Sequence, residues 1–300
     1  MPFIAYHPIY AHLLPEGHRF PMLKYELIPE QLLHEGSIEP SDIFSPKPCP
    51  EEVILWTHEK EYWEDLKNLR LTPQHIRRIG FPLSEQLVQR EIIIAQGTID
   101  CCHLALQQGV AMNIAGGTHH AFTNRGEGFC MLNDMAIAAN YLLHNNLAQQ
   151  ILIVDLDVHQ GNGTAQIFQH EKKVFTFSMH GGHNYPFIKE KSDLDIALND
   201  GNSDDAYLNL LDETLQQLIE KLKPDFIFFL SGVDILSTDK YGKLNISMAG
   251  CKLRDTMVFN YCKKHNIPVT VSMGGGYSTD VKVIVEAHCN TFRVAKEMYF

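Results

Sequence analysis

Short runs of apolar, mostly β-branched residues recur along the chain, and each stops at a cluster of Gly, Asp, His or Ser. Strands read this way when they run into loops along one edge of a sheet. Val110–Ile114 leads into AGGTHHA, Ile151–Val154 into DLDVHQGNGT, Val174–Phe177 into SMHGGH, Phe226–Leu230 into SGVDIL and Val269–Val271 into SMGGGY. Between them, apolar residues at three-to-four spacing predict helices over Ser84–Gln107, Leu132–His144, Asp204–Lys221 and Ala249–His265. This alternation predicts an α/β fold, a single largely parallel central sheet with helices on both faces. In such sheets ligands sit beyond the carboxyl ends of the strands, so polar clusters far apart in sequence are expected to meet there. The first 80 residues are less regular, with six prolines from Pro29 to Pro73 and one short helix expected at Glu51–Leu69. They are expected to wrap the sheet and shape the rim of the site.

Composition narrows this picture. Three hundred residues without a Pro/Gly/Ser-rich or highly charged linker are read as one domain, 1–300. The formal charge of −11 argues against direct nucleic-acid binding, which needs clustered Lys and Arg. An acidic surface would suit a basic peptide or a polyamine, and it also serves plain solubility. Seven cysteines without a C-x-x-C pair point to a reducing compartment. With no run of about 18 apolar residues and no export signal at the N-terminus, the expected location is cytoplasmic, with no membrane partner.

The candidate chemistry lies at the strand ends. Asp155, Asp157 and His159 alternate on a segment leaving a buried strand, so an extended conformation projects them to one side. Burying two carboxylates and an imidazole together is costly unless they pair or bind a cation. An isolated D-x-H is more often a helix cap beside a packed histidine. The second apolar strand, however, also ends in an acid, Asp234. One nitrogen and two oxygen ligands leave a position open, which suits catalytic zinc, and iron(II) or cobalt equally. His119 and His120, after GGT, become candidates to take a proton from a metal-bound water, with Asp155 and Asn162 as orienting partners. Tyr277 follows three glycines, which permit close backbone approach, and its phenol could hydrogen-bond a developing oxyanion.

Together these segments resemble the histone deacetylase and acetylpolyamine amidohydrolase superfamily over most of the chain. GGTHHA resembles its paired-histidine motif, GFCMLND its G-F-C-x-x-N-D, and DLDVHQGNGT its zinc-binding segment. SGVD carries the third ligand and GGGY the tyrosine. GHRFPMLKY and RRIGFP, with Gln160 in place of a second histidine, look closest to the class IV group and its bacterial relatives.

The resemblance implies the arginase/deacetylase fold and a zinc-dependent hydrolase that removes acyl groups, acetyl or longer, from N-acyl-lysine in proteins or peptides. It implies Zn2+ on Asp157, His159 and Asp234, and His120 as the base that later protonates the leaving amine. His119 paired with Asp155 would tune the site, and Tyr277 would stabilise the tetrahedral intermediate. Phe129, Tyr185, Gly275 and Gly276 would line a substrate tunnel with Gly128 at its floor, and Arg19 would belong to an inner channel. A structural K+ is implied at Asp155, Asp157, His159, Ser178 and Met179. A second K+ near Phe168 and Val174 is made doubtful by Glu171.

Two departures bear on substrate choice. Asn162 stands where class I enzymes carry an acid, which should make His120 less basic, and PFIKEKSD after Tyr185 lacks the common P-G-T-G. The alternatives are hydrolysis of small acetylated amines such as acetylpolyamines, and a catalytically decayed binding protein. The latter predicts a missing ligand or tyrosine, and none is missing.

Overall fold

The computed structural model describes residues 1–300. It has eight strands: β1 (Ile4–Ala5), β2 (Ile43–Phe44), β3 (Val110–Asn113), β4 (Ile151–Asp155), β5 (Val174–Gly181), β6 (Leu194–Leu198), β7 (Phe226–Leu230) and β8 (Val269–Ser272). The α-helices are α1 (Lys24–His34), α2 (Glu51–Ile54), α3 (Lys60–Lys67), α4 (Pro73–Ile79), α5 (Glu85–Gln108), α6 (Asp134–His144), α7 (Asn162–Phe168), α8 (Asp204–Leu222), α9 (Met248–His265) and α10 (Val281–Tyr299).

All eight strands join one sheet in the order β2-β1-β3-β8-β7-β4-β5-β6, and every pairing is parallel. Parallel crossovers are right-handed. The steps β2→β3→β4→β5 run one way across the sheet and put α5, α6 and α7 on one face. The steps β1→β2, β6→β7 and β7→β8 run the other way and put α1, α8 and α9 on the opposite face. The packing agrees: α5 lies on α6, while α1, α10, α9 and α8 form a row of neighbours. The four motif-bearing strands β3, β8, β7 and β4 are adjacent at the sheet centre, which brings their carboxyl-end loops together.

Burial on both faces explains the uninterrupted apolar strands. Each residue of β7, from Phe226 to Leu230, is at most 1% exposed, within a continuous core of 83 buried residues. Helix starts follow side-chain caps: Ser84 accepts from Leu87 N, Asn133 from Ala136 N and Ser247 from Gly250 N. Under the sheet centre, fully buried Arg254 on α9 donates to the carbonyls of Leu156, Ser231 and Gly232 and pairs with Asp255 at 2.6 Å. This guanidinium ties the ends of β4 and β7, which carry the candidate ligands, to one helix.

Three expectations are corrected. The helix expected at Glu51–Leu69 is broken into α2 and α3. His58, in the gap, turns inward, its Nδ1 bonded to Phe122 O and its Nε2 accepting from Asn133 N, and Glu59 N donates to Thr123 O in place of a helical carbonyl. The first 80 residues do more than wrap the sheet, since β1 and β2 extend it by two strands. Finally, the extended conformation stops at Asp155. Asp155 Oδ1 accepts from Asp157 N and the chain bends there, so Asp157 and His159 converge through a loop and not along a strand.

Candidate active site

The loop after β3 is fixed from beneath by one carboxylate. Asp134, at the start of α6, accepts from Thr118 N at 3.0 Å, Thr118 Oγ1 at 2.8 Å, Thr98 Oγ1 at 2.7 Å and Ser272 Oγ at 2.8 Å. It thereby joins α5, the His119–His120 loop and β8. The two imidazoles then stand with ring centroids 4.1 Å apart. His119 Nδ1 lies 2.7 Å from Asp155 Oδ2, and His120 Nδ1 lies 2.7 Å from Asn162 Oδ1. The two rings differ electrically. Burial opposes charge on His119, but Asp155 outweighs it and the pKa is raised. Burial, with His119 and His159 adding repulsion, drives His120 well below the usual imidazole value, since neutral Asn162 offers little relief.

Asp157, His159 and Asp234 meet beside this pair, and their potential ligand atoms all lie within 4.8 Å of one another. Asp157 Oδ2 accepts from Gly275 N at 2.8 Å and Asp234 Oδ1 from Val158 N at 2.9 Å, which orients both acids. His159 Nδ1 is 3.0 Å from Asp157 Oδ1 and 3.2 Å from Asp234 Oδ2. Asp234 is fully buried, and its Oδ2 faces only the His159 ring as an ion-pair contact, without a well-aligned hydrogen bond. Burial, then repulsion from Asp157, pushes Asp234 up to about 7, while the carboxylates overcome burial and lift His159 to about 10. A divalent cation among these three would satisfy the orphaned oxygen and relieve the repulsion, so the donor set fits one. Gly275 is required here: any Cβ would collide with Asp234 Oδ2.

Tyr277 follows on the same loop, its backbone N donating to Asp239 Oδ2 at 2.6 Å, and its ring centroid lies 6.4 Å from His159 and 6.2 Å from Phe129. Burial, then Asp157 and Asp234, raises the phenol pKa, so it stays a donor. Buried Lys24 donates from Nζ to Gly274 O at 2.9 Å and steadies this glycine turn; burial lowers its pKa to about 8.

Two cavities flank the cluster. The outer one, about 440 Å³, is lined by Gly128, Phe129, Tyr185 and Tyr277 and reaches His120 and His159. Phe129 sits at φ 68°, a left-handed conformation that costs a non-glycine residue of order 1 kcal/mol. It is held by Gly128 N donating to Arg78 O and Phe129 N to Ile79 O. Tyr185 is fixed by its hydroxyl donating to Glu127 at 2.8 Å and crosses the His120 ring edge-on at 5.0 Å. The inner cavity, about 40 Å³, continues past Asp157, Asp234, Gly275 and Cys130 to Tyr25 and Arg90.

The structure thus brings together His119, His120, Asp155, Asn162, Asp157, His159, Asp234, Tyr277, Gly128, Phe129, Tyr185 and Gly275. It does not bring in two others. Arg19 is exposed and lines the outer cavity, its guanidinium 4.9 Å over Phe129, and the arginine of the inner cavity is Arg90. Gly276 lines neither cavity and packs against Val233, Ile284 and His288. Ser178 pairs in register with Asp155, and Met179 follows it, fully buried. Lys24, Arg90, Glu127 and Asp239 escaped the sequence reading. None sits in a strand-end cluster, and only the rarity of buried charge marks Lys24 and Arg90.

A family model described as histone deacetylase domain matches residues 18–292. The chain belongs to the histone deacetylase family. A relative in Picosynechococcus sp., an uncharacterized protein, is 44% identical over 99% of both chains. Histone deacetylase 2 of Arabidopsis thaliana is 30% identical, over 92% of this chain and 74% of its own. Among solved structures, a histone deacetylase homolog from Aquifex aeolicus superposes with a TM-score of 0.82 at 22% identity, over 97% of this chain and 82% of its own; that likeness concerns the fold. Family membership supports a hydrolase with deacetylase activity. No helix of this histone deacetylase is long and apolar enough to cross a membrane.

Proposed function

We propose that this histone deacetylase hydrolyses the amide of N-acyl-lysine in proteins or peptides, using one zinc ion held by Asp157, His159 and Asp234. The observation that carries this reading is the orphaned, buried Oδ2 of Asp234 beside an imidazole pair and a phenol, at the base of a cavity walled by two aromatic rings. A bound divalent ion would polarise the acyl carbonyl and acidify the attacking water.

The chain's own residues supply the rest. Asn162 Oδ1 accepts from His120 Nδ1, which leaves the Nε2 lone pair free to take a proton from water and later pass it to the leaving amine. Asp155 raises the pKa of His119, and a proton held on His119 would discourage early protonation of the neighbouring base His120. Tyr277 donates to the oxyanion as the carbonyl carbon becomes tetrahedral. Phe129 and Tyr185 flank the lysine stem and exclude water, while Gly128 leaves room below. A structural K+ held by oxygens of Asp155, Asp157, His159, Ser178 and Met179 fits the register of β4 and β5. The GHRFPMLKY and RRIGFP segments favour a class IV-like enzyme, and seven unpaired buried cysteines suit the cytoplasm.

Metal analysis with an acetyl-lysine peptide assay tests the reading. Stoichiometric zinc, turnover, and loss of turnover on chelation are expected; a fully zinc-loaded protein inert toward every acyl-lysine peptide would refute it.

A further inference from the structure

The outer cavity is the mouth through which any substrate must pass. Its basic lining residues, beyond the histidines of the cluster, are Arg19, Arg78, Lys243 and His183, and no Asp or Glu lines it. This is unexpected in a chain of formal charge −11 with 36 acids against 25 Lys and Arg. The four basic side chains are not equally free. His183 and Lys243 share the carboxylate of Asp200, at 3.2 and 4.0 Å. Arg19 and Arg78 are exposed and form no ion pair.

Both arginines are positioned by the tunnel wall itself. Gly128 and Phe129 donate to the carbonyls of Arg78 and Ile79, so the end of α4 is stapled to the wall, and Arg19 lies over the Phe129 ring. Two arginines without an ion pair therefore line the opening, Arg19 with its guanidinium over the Phe129 ring and Arg78 with its backbone stapled to the same wall. Guanidinium forks match carboxylates in bidentate geometry.

Resting on the acyl-lysine reading, we propose that Arg19 and Arg78 make this enzyme select acyl-lysines flanked by Asp or Glu in the polypeptide, and that they reject cationic carriers such as acetylated polyamines. The general acidity of the chain suggests a basic partner, but the charge that a substrate meets is that of the mouth.

The test uses zinc-loaded full-length protein and three acetyl-lysine peptides of equal length, with flanks of Asp and Glu, of Ser and Gly, and of Lys, together with N-acetylspermidine. Exposed pairs are individually weak, so two of them should give an acidic-over-basic ratio in kcat/KM of about fivefold to tenfold, carried in KM. The ratio should shrink toward one near 1 M salt. In Arg78→Glu, and separately in Arg19→Glu, it should fall below that of the parent. Because each ratio is taken within one preparation, partial misfolding of a variant does not disturb it. Equal kcat/KM on all three peptides, a preference for the Lys-flanked peptide or acetylspermidine, or ratios unmoved in both variants would overturn the assignment. If the neutral peptide is turned over, such a result sinks the mouth proposal alone. If no peptide is turned over, the acyl-lysine reading falls and takes this one with it.

Discussion

The floor of the site and its mouth are built on opposite principles. Floor residues are largely buried, sit at the ends of four adjacent central strands, and have most of their polar atoms held by partners, the buried Oδ2 of Asp234 standing out as an exception. Mouth residues come from the N-terminal segment, α4 and the loops after β3, β5, β7 and β8, and two of their arginines form no ion pair. Strand ends cannot shift without breaking the sheet, so the floor fixes a chemistry. Loops tolerate change, so carrier selection is assigned, as proposed above, to the mouth.

The largest expected effect lies in the floor. Asp234→Ala removes one of three converging donors, so the purified variant should hold no stoichiometric zinc by elemental analysis and show only background turnover. Metal bound as in the parent would break the contrast drawn here.

Tyr277→Phe should keep zinc and the fold while kcat falls on the order of 10²-fold, the usual cost of one lost oxyanion donor. Unchanged kcat would mean that the phenol belongs with the mouth, as a wall only.

His58 links floor to frame, and burial lowers its pKa to about 4 from about 6.5 in the unfolded chain. Its folded value is depressed, so its contribution to stability is intact above pH 6.5. That contribution is lost as pH falls toward 4, by about 3 kcal/mol in all. Denaturant melts across that window should show the loss, and in His58→Gln it should be smaller by about that amount, since His12 and His180, also lowered to about 4, keep their share. Equal slopes in both proteins would remove His58 from the floor's support.

Asn162→Asp is milder still. A carboxylate on Nδ1 should raise the depressed pKa of His120, moving the acid limb of the kcat/KM profile upward by about one pH unit. An unmoved limb would assign that titration to another group. Charge reversals at Arg19 or Arg78, at several-fold, complete the series at the mouth.

The floor was far more legible than the mouth. β4 and β7 are apolar throughout because both faces are covered, and their terminal acids stand out against that background. Asp157, His159, Asp234, His120 and Tyr277 could therefore be read as one cluster from order alone. Arg19 shows the limit. Its motif suggested an inner position, but side-chain direction in an irregular segment depends on tertiary packing against Phe129, and the inner position belongs to Arg90 on the regular helix α5. The break at His58 was hidden for a similar reason: Glu51–Leu69 is helical by local pattern, and the long-range bond from Glu59 N to Thr123 O, beside the His58 ring held by Phe122 and Asn133, interrupts it. The two-residue strands β1 and β2 are too short for any period to register.

Asp134 touches no candidate ligand, yet the proton-handling loop and the strand that leads to the phenol both hang from its two oxygens. Proton transfer and charge stabilisation are thus mechanically geared to each other. Under the proposed roles, loosening that hinge pin would misalign both partners at once while leaving the three candidate ligands in place.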